Sequence, residues 1–261
     1  MSTKIVILGA GESGVGAALL AKQKGYDVFV SDASAIKSIF QAELEANHIP
    51  FESGSHDVDR ILAADEVMKS PGIPEKNELV KQIRAKGIPV ISEIEFGFRY
   101  KGDSKIVAIT GSNGKTTTTM LTYHLLKSAD LNVGLGGNIG KSFAWQVAED
   151  NYDVYVLELS SFQLDGIINY KPDIAIITNI SPDHLDRYEY KYENYIASKF
   201  RITMNQTEND FLIYDADDEA ITEWFKNNNT KAQLIPFSIS KAIEKGAFLK
   251  DNIMEININE E

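Results

Sequence analysis

Two apolar runs in this chain each end in a glycine turn that opens a helix-like segment. The first is KIVILGA (4–10), running into Gly9-Ala10-Gly11-Glu12-Ser13-Gly14; the second is KIVAIT (105–110), running into Gly111-Ser112-Asn113-Gly114-Lys115-Thr116. A continuous apolar run of this length reads as a strand buried on both faces, and such strands belong to parallel sheets covered by helices. Two strand–turn–helix starts therefore call for two α/β units in series.

The rest of the chain keeps to that alternation. After the first turn a helix-like segment extends to about Lys24, Gly25 stops it, and DVFVSD (27–32) is the next strand. Ile36, Ile39, Phe40 and Leu44 recur at helical spacing. DEVMKSPG (65–72) reads as a strand broken at Ser-Pro-Gly, followed by a helix over about 75–86 and a strand at IPVISE (88–93). The polar stretch YKGDSK (100–105) interrupts the pattern, which places a domain boundary there: 1–100 for a Rossmann-like unit and 101–261 for a P-loop-type α/β unit. In the second unit, strands are expected at 131–137, 152–160, 173–180, 210–216 and 232–239. Helices follow Lys115 and start near Lys141, with two more over about 189–205 and 217–227. Period-two alternation around Lys250-Asp251-Asn252 predicts a closing antiparallel hairpin.

Composition bounds what these units bind. Of 261 residues, 43% are hydrophobic and 25% charged, the balance of a globular chain with a real core. No apolar run approaches the roughly 18 residues of a membrane span, and the N-terminus lacks a secretory pattern, so no membrane partner is expected. With no cysteine there are no disulfides or thiolate metal sites, which fits a reducing cytoplasm. The net charge of −12 argues against nucleic acid as a partner. An anionic nucleotide would have to be held locally, by backbone N–H groups, helix N-termini and a few lysines.

The first turn is a complete G-x-G-x-x-G between strand and helix, and Asp32 ends the next strand, as in dinucleotide-binding units. Its physical content is a tight turn, close backbone approach to a diphosphate and a helix N-terminus facing the anion. A glycine turn closing any doubly wound unit is the plainer alternative. Glu12 sits awkwardly beside a pyrophosphate and suits a base or a sugar hydroxyl better.

The second turn departs from the Walker pattern at its first glycine, where the chain has Ile109. If Ile109 belongs to the strand and Gly111 supplies the flexible position, the loop still works. Gly111, Ser112, Asn113, Gly114, Lys115, Thr116 and Thr117 can then wrap terminal phosphates, with Lys115 on their oxygens and Thr116 on Mg²⁺. Such a site needs a metal-holding acid on a neighbouring strand. VYVLELSS offers Glu158, and ITNISPDHLDRY offers Asp183, His184 and Asp186 after the following strand.

AITGSNGKTTT (108–118) resembles the ATP loop of the Mur ligase family, whose members also lack the first Walker glycine. GGNIG (136–140), LELSSFQL (157–164), DHLDRY (183–188), SKFRI (198–202), SPGIP (70–74) and EIEFGFR (93–99) extend the resemblance over essentially the whole chain. LELSSFQ points within the family to ligases that join D-glutamate to UDP-N-acetylmuramoyl-L-alanine. The resemblance implies that the first unit holds the UDP end of that substrate through Gly11, Glu12, Ser13, Gly14, Asp32, Ala33, Ser70, Pro71 and Gly72. It also implies that Asn138, Ser160, Ser161 and Gln163 approach the substrate. Thr116, Glu158, His184 and Lys199 would hold two Mg²⁺ ions, Lys199 as a carbamate, and Lys115, Asn138, His184 and Lys199 would serve catalysis beside ATP. From spacing alone Lys199 reads as a solvated helix lysine.

The family's third domain, which binds the incoming amino acid, matches nothing in this sequence. The expectation is therefore a part of a monomeric ligase that binds its substrates and turns over poorly, with some apolar sheet surface uncovered. Two other readings stand beside it: a nicotinamide-dependent oxidoreductase built on the first turn and Asp32, and a non-catalytic nucleotide-sensing module.

Overall fold

The computed structural model describes residues 2–258. It divides into two compact units: residues up to 103 with 135–152 and 162–170, and residues 104–134 and 153–161 with 171 onward.

The first unit holds β1 (Lys4–Leu8), α1 (Glu12–Gln23), β2 (Asp27–Asp32), α2 (Ser38–Ala46), β3 (Phe51–Ser53), α3 (Val58–Ile61), β4 (Glu66–Lys69), α4 (Glu78–Ala85), β5 (Val90–Ile91) and α5 (Glu93–Phe98). Its strands form one parallel sheet in the order β3-β2-β1-β4-β5. β1 is flanked on both sides and covered on both faces, which is why Ile5, Val6, Ile7 and Leu8 are all buried. The strand order reverses beside β1, so a crevice opens outside the carboxyl ends of β1 and β4. α1 is small and apolar nearly all round, and residues 14–21 are buried because the helix lies between the sheet and a further helix of this unit, α7 (Phe143–Glu149). Gly14 is where α1 comes closest to the turn: a Cβ there would collide with the Gly9 carbonyl oxygen.

The second sheet follows the order β13-β12-β11-β10-β9-β6-β8-β7. Its strands are β6 (Lys105–Thr110), β7 (Val133–Gly137), β8 (Val154–Glu158), β9 (Ile174–Ile177), β10 (Phe211–Asp215), β11 (Gln233–Ser238), β12 (Gly246–Lys250) and β13 (Ile253–Asn257). Helices α6 (Lys115–Ser128), α8 (Ser161–Leu164), α9 (Tyr192–Phe200) and α10 (Glu219–Asn227) interleave with them. β6 lies between β8 and β9 in parallel register, and β12–β13 is antiparallel. The expected closing hairpin forms, with Asp251 and Asn252 both at positive φ as a tight two-residue turn requires. Residues 259–261 of that stretch lie outside the described residues.

Three local expectations change. The strand expected over 88–93 is only Val90–Ile91, because Ser92 accepts a hydrogen bond from Glu95 N–H and starts α5. The helix expected over 189–205 is shorter: Glu189 and Tyr190 sit at positive φ, and the end tightens to a 3₁₀ turn at Arg201–Thr203. Lys199, read from spacing as solvated, is 2% exposed.

Candidate nucleotide sites

α1 and α6 both begin at a glycine, Gly11 and Gly114, with no side-chain cap. α3, α4, α5, α7 and α10 are each capped by a side chain, from Asp57, Asn77, Ser92, Ser142 and Asp218, while α2 and α9 start at Lys37 and Lys191 without one. The first N–H groups of an uncapped helix have no intrahelical partner and, with the helix dipole, favour an anion.

In the first unit, Gly11, Glu12, Ser13, Asp32, Ala33, Ser70, Pro71 and Gly72 line one cavity of about 470 Å³ at the carboxyl ends of β1, β2 and β4. Gly14 lies beneath it, in contact with the turn. Asp32 works as a fastener: its Oδ2 accepts from Ala10 N–H at 2.8 Å and its Oδ1 from Ser34 N–H at 2.8 Å, tying the turns after β1 and β2 together. The Glu12 carboxylate accepts from Ser142 N–H at 2.9 Å, so the same residue borders the cavity and holds the start of α7. His56 also lines the cavity, and nothing in its sequence context marks it.

Two buried glutamates bind the later segments into this unit. Glu95 is fully buried and accepts from the N–H groups of Ile168, Asn169 and Tyr170 at 2.8–2.9 Å, while Arg99 Nε donates to its other oxygen at 3.3 Å. Glu93 accepts from Ser142 Oγ and Ala144 N–H, both at 2.6 Å. Its Oε2 is buried with no hydrogen-bond partner. Burial, with a smaller contribution from Glu12, pushes the Glu93 carboxyl up to about 7 despite those two hydrogen bonds. The alternation of acid and apolar residues in SEIEFGF was the available signal for both.

In the second unit, Ile109 is fully buried in β6, in register with Glu158, so the loop begins after the strand. Gly111 takes φ +148°, and a Cβ there would collide with Thr178 Oγ1, so this position needs glycine on two counts. The loop is braced from the turn after β9: Ser112 N–H donates to Asn179 O at 2.8 Å, Asn113 N–H to Asn179 Oδ1 at 2.9 Å, and Thr178 Oγ1 to Asn113 O at 2.7 Å. Lys115 Nζ donates to the Gly111 and Ser112 carbonyls at 3.0 and 2.9 Å. Lys199 Nζ donates to the same Gly111 oxygen at 2.6 Å and lies 4.6 Å from the centre of the Tyr195 ring. Thr116 Oγ1 donates to the buried Glu158 carboxylate at 2.7 Å. Thr117 follows in the first turn of α6.

Not every expected residue joins that group. His184 stands at positive φ on an exposed turn, its ring 3.4 Å from Asp183. Among the described residues no three His, Asp or Glu side chains form a group that could hold a metal ion. Asn138 is exposed after β7, Ser160 is half-buried after β8, and Ser161 and Gln163 are buried at α8.

The Thr116–Glu158 pair fits Mg²⁺. Hydroxyl and carboxylate oxygens are its hard ligands, and two adjacent oxygens of an octahedron with bonds of roughly 2.0–2.1 Å stand about 2.9 Å apart.

Residues 109–259 match the Mur ligase middle domain, and residues 3–92 match the MurD-like N-terminal domain of Mur ligases. The UDP-N-acetylmuramoylalanine–D-glutamate ligase of Christiangramia forsetii is 56% identical over 99% of this chain and 58% of its own length. The protein of the same name from Bacteroides thetaiotaomicron is 55% identical over 97% of this chain and 57% of its own. The chain thus spans less than two thirds of the length of these relatives. Among solved structures, the UDP-N-acetylmuramate:L-alanyl-gamma-D-glutamyl-meso-diaminopimelate ligase of Neisseria meningitides aligns with a TM-score of 0.65 at 20% identity. That alignment covers 97% of this chain and 86% of that one. The UDP-N-acetylmuramate-alanine ligase of Thermotoga maritima aligns with a TM-score of 0.55 at 22% identity, over 95% of this chain and 54% of that one. At those identities the likeness speaks for the fold.

Proposed function

Since the chain belongs to the Mur ligase family, we propose that it carries the UDP-substrate and ATP sites of a ligase joining D-glutamate to UDP-N-acetylmuramoyl-L-alanine. The relatives above 50% identity bear the name of that reaction. The observation that carries the reading is the hydrogen bond of Thr116 to Glu158, beside a braced glycine loop and the uncapped start of α6.

The reaction is amide formation in two transfers. A carboxylate oxygen of the muramoyl-alanine attacks the γ-phosphorus of ATP, ADP leaves, and an acyl phosphate results. The amine of D-glutamate then attacks the acyl carbon, loses a proton and expels phosphate. No side-chain nucleophile takes part, so the residues position reactants and offset charge. The N–H groups at the start of α6 face the terminal phosphates, and Lys115 moves its ammonium from the loop carbonyls onto their oxygens. Thr116 and Glu158 would hold Mg²⁺, which when bound would neutralise phosphate charge; the family resemblance would give a second ion to a carbamate on Lys199 and to His184, which here stands on an exposed turn.

Lys199 suits a carbamate. It is 2% exposed with its Nζ on the Gly111 carbonyl, and as a neutral amine it would add carbon dioxide, releasing a proton and leaving an anionic oxygen ligand. Asn138, Ser160 and Gln163 complete the substrate contacts in this reading. Its need for ATP places the reaction in the cytoplasm.

Calorimetric titration of the chain with UDP, NADH and Mg·ATP tests the reading. UDP and Mg·ATP are expected to bind at independent sites, and Glu158→Ala is expected to remove the Mg²⁺ dependence of ATP binding. Binding of NADH in place of UDP would overturn it. Intact mass after incubation with bicarbonate is expected to show one added carbon dioxide, absent in Lys199→Met.

A further inference from the structure

β6 and β9 run parallel with Thr110 in register with Ile177, so the chain leaving β9 passes alongside the loop leaving β6. Asn179, two residues past β9, grips the Asn113 peptide at both of its polar atoms. Its Oδ1 accepts from Asn113 N–H and its Nδ2 donates to Asn113 O, each at 2.9 Å. A peptide N–H only donates and a carbonyl only accepts, so this pairing fixes which end of the amide carries the oxygen. Thr178 Oγ1 donates to the same carbonyl at 2.7 Å. Ser112 is held from the same turn: its N–H donates to Asn179 O at 2.8 Å, and its hydroxyl donates to Ser181 O and accepts from Ser181 N–H, both at 2.9 Å. The turn is anchored in its own right. Ile180 N–H donates to Asp218 Oδ2 at 2.8 Å, and Ile180 O accepts from Tyr192 Oη at 2.7 Å.

Few backbone groups of the loop are left for a ligand. The Gly111 and Ser112 carbonyls accept from Lys115 Nζ, while Ser112 N–H, Asn113 N–H and Asn113 O are taken up by the turn after β9. The N–H groups without a partner among the described residues begin at Gly114 and run through Lys115 and Thr116 into the first turn of α6. The amides of Ser112 and Asn113, which the sequence groups with them around a phosphate, serve the frame instead.

We infer that Asn179 and Thr178 are positioning residues of this site: they lock the Asn113 peptide so that the N–H groups of 114–116 converge on a terminal phosphate. The inference rests on the ATP reading of the loop. Neither side chain carries charge, and both act through the Asn113 peptide. What they contribute is preorganisation, since a loop already fixed has little freedom left to lose when the ligand arrives. Gly114 stands at φ +78°, a conformation that glycine adopts without strain, and the locked peptide ahead of it sets the direction in which the chain enters α6.

The test pairs residue-resolved hydrogen exchange with calorimetric titration by Mg·ATP. In the unaltered chain the amides of Ser112 and Asn113 should exchange slowly with or without nucleotide. Those of Gly114, Lys115 and Thr116 should exchange fast alone and slow down when Mg·ATP is added. Thr178→Val keeps the shape of the side chain and loses the hydroxyl; it should weaken Mg·ATP binding about 2- to 10-fold, the worth of one hydrogen bond. Thr178→Ser, which restores the hydroxyl, should bring the affinity back. Asn179→Ala removes two bonds, so about 5- to 100-fold is expected, with faster exchange at Asn113. Three results would each overturn the positioning role and leave the ATP site standing: Mg·ATP affinity unchanged in both Thr178→Val and Asn179→Ala, no recovery in Thr178→Ser, or an Asn113 amide that exchanges as fast as that of Gly114. Failure of the unaltered chain to bind Mg·ATP would overturn both readings.

Discussion

The ammonium groups of Lys115 and Lys199 converge on one backbone oxygen, that of Gly111, at 3.0 and 2.6 Å. The two lysines come from different helices, α6 and α9, and meet only because the strand–loop–helix folds its carbonyl toward both. One cation belongs to the glycine loop proposed to hold phosphate and the other to the interior, so their replacement should separate ligand binding from the frame that supports it.

Lys115→Ala removes a charged donor from the loop. ATP binding should weaken by roughly 1.5–3 kcal/mol, the worth of a hydrogen bond to a charged group. UDP binding in the first unit should not change. Calorimetry with each nucleotide checks both halves.

Gly111→Ala strains the loop from two directions, a positive φ and a collision with Thr178 Oγ1. A cost of about 1–3 kcal/mol is expected from the backbone alone. Urea unfolding should show a lowered midpoint, and ATP affinity should fall with it. Gly25→Ala is the control: its φ is also positive, +79°, but nothing lies within 4 Å of the added Cβ, so the smaller loss it shows measures conformational strain without the collision.

Glu95→Ala should be the more damaging change. It leaves three backbone N–H groups of residues 168–170 and the Arg99 guanidinium facing a cavity. Removing one partner from a buried charged network costs about 3–5 kcal/mol. Hydrogen exchange should show protection lost first at 168–170. Glu95→Gln, which keeps the shape and one acceptor, should cost less.

Glu93 makes stability depend on pH. Its folded-state value, about 7, lies above the ordinary 4.5 of the unfolded chain, so the folded state binds the extra proton between those limits. Its contribution is therefore most favourable below the unfolded value and is lost as pH rises through about 7. The swing is on the order of 3 kcal/mol at about 1.4 kcal/mol per pH unit. Glu93→Gln should flatten that part of the stability–pH curve and raise stability above pH 7 relative to the unaltered chain, as measured by urea unfolding across pH.

The turns and central strands were readable because their signals are local. KIVILGAG and KIVAITGSNGKT each combine an apolar run with glycines at fixed offsets, and both became a central strand followed by an uncapped helix. The replacement of the first Walker glycine by Ile109 was readable too, once the residue was counted into the strand. The short elements α3 and α8 were not, having four residues each, too few for a period to register, and the strand at Val90–Ile91 was read in place but four residues too long.

Order along the chain was sufficient for the parallel α/β class, for Lys115, Thr116 and Glu158 as one group, and for Asp32 at a strand end, since each follows from spacing around a strand. Pairings across long separations came from packing alone. Lys199 looks solvated at its place in α9 and is buried against a carbonyl 88 residues away. Glu12 reaches Ser142, Glu95 gathers the amides of 168–170, and Ser31 Oγ lies within hydrogen-bonding distance of both Glu52 and His56. A buried polar group must find its partner wherever the folded backbone brings one, and no periodicity in the chain encodes that address.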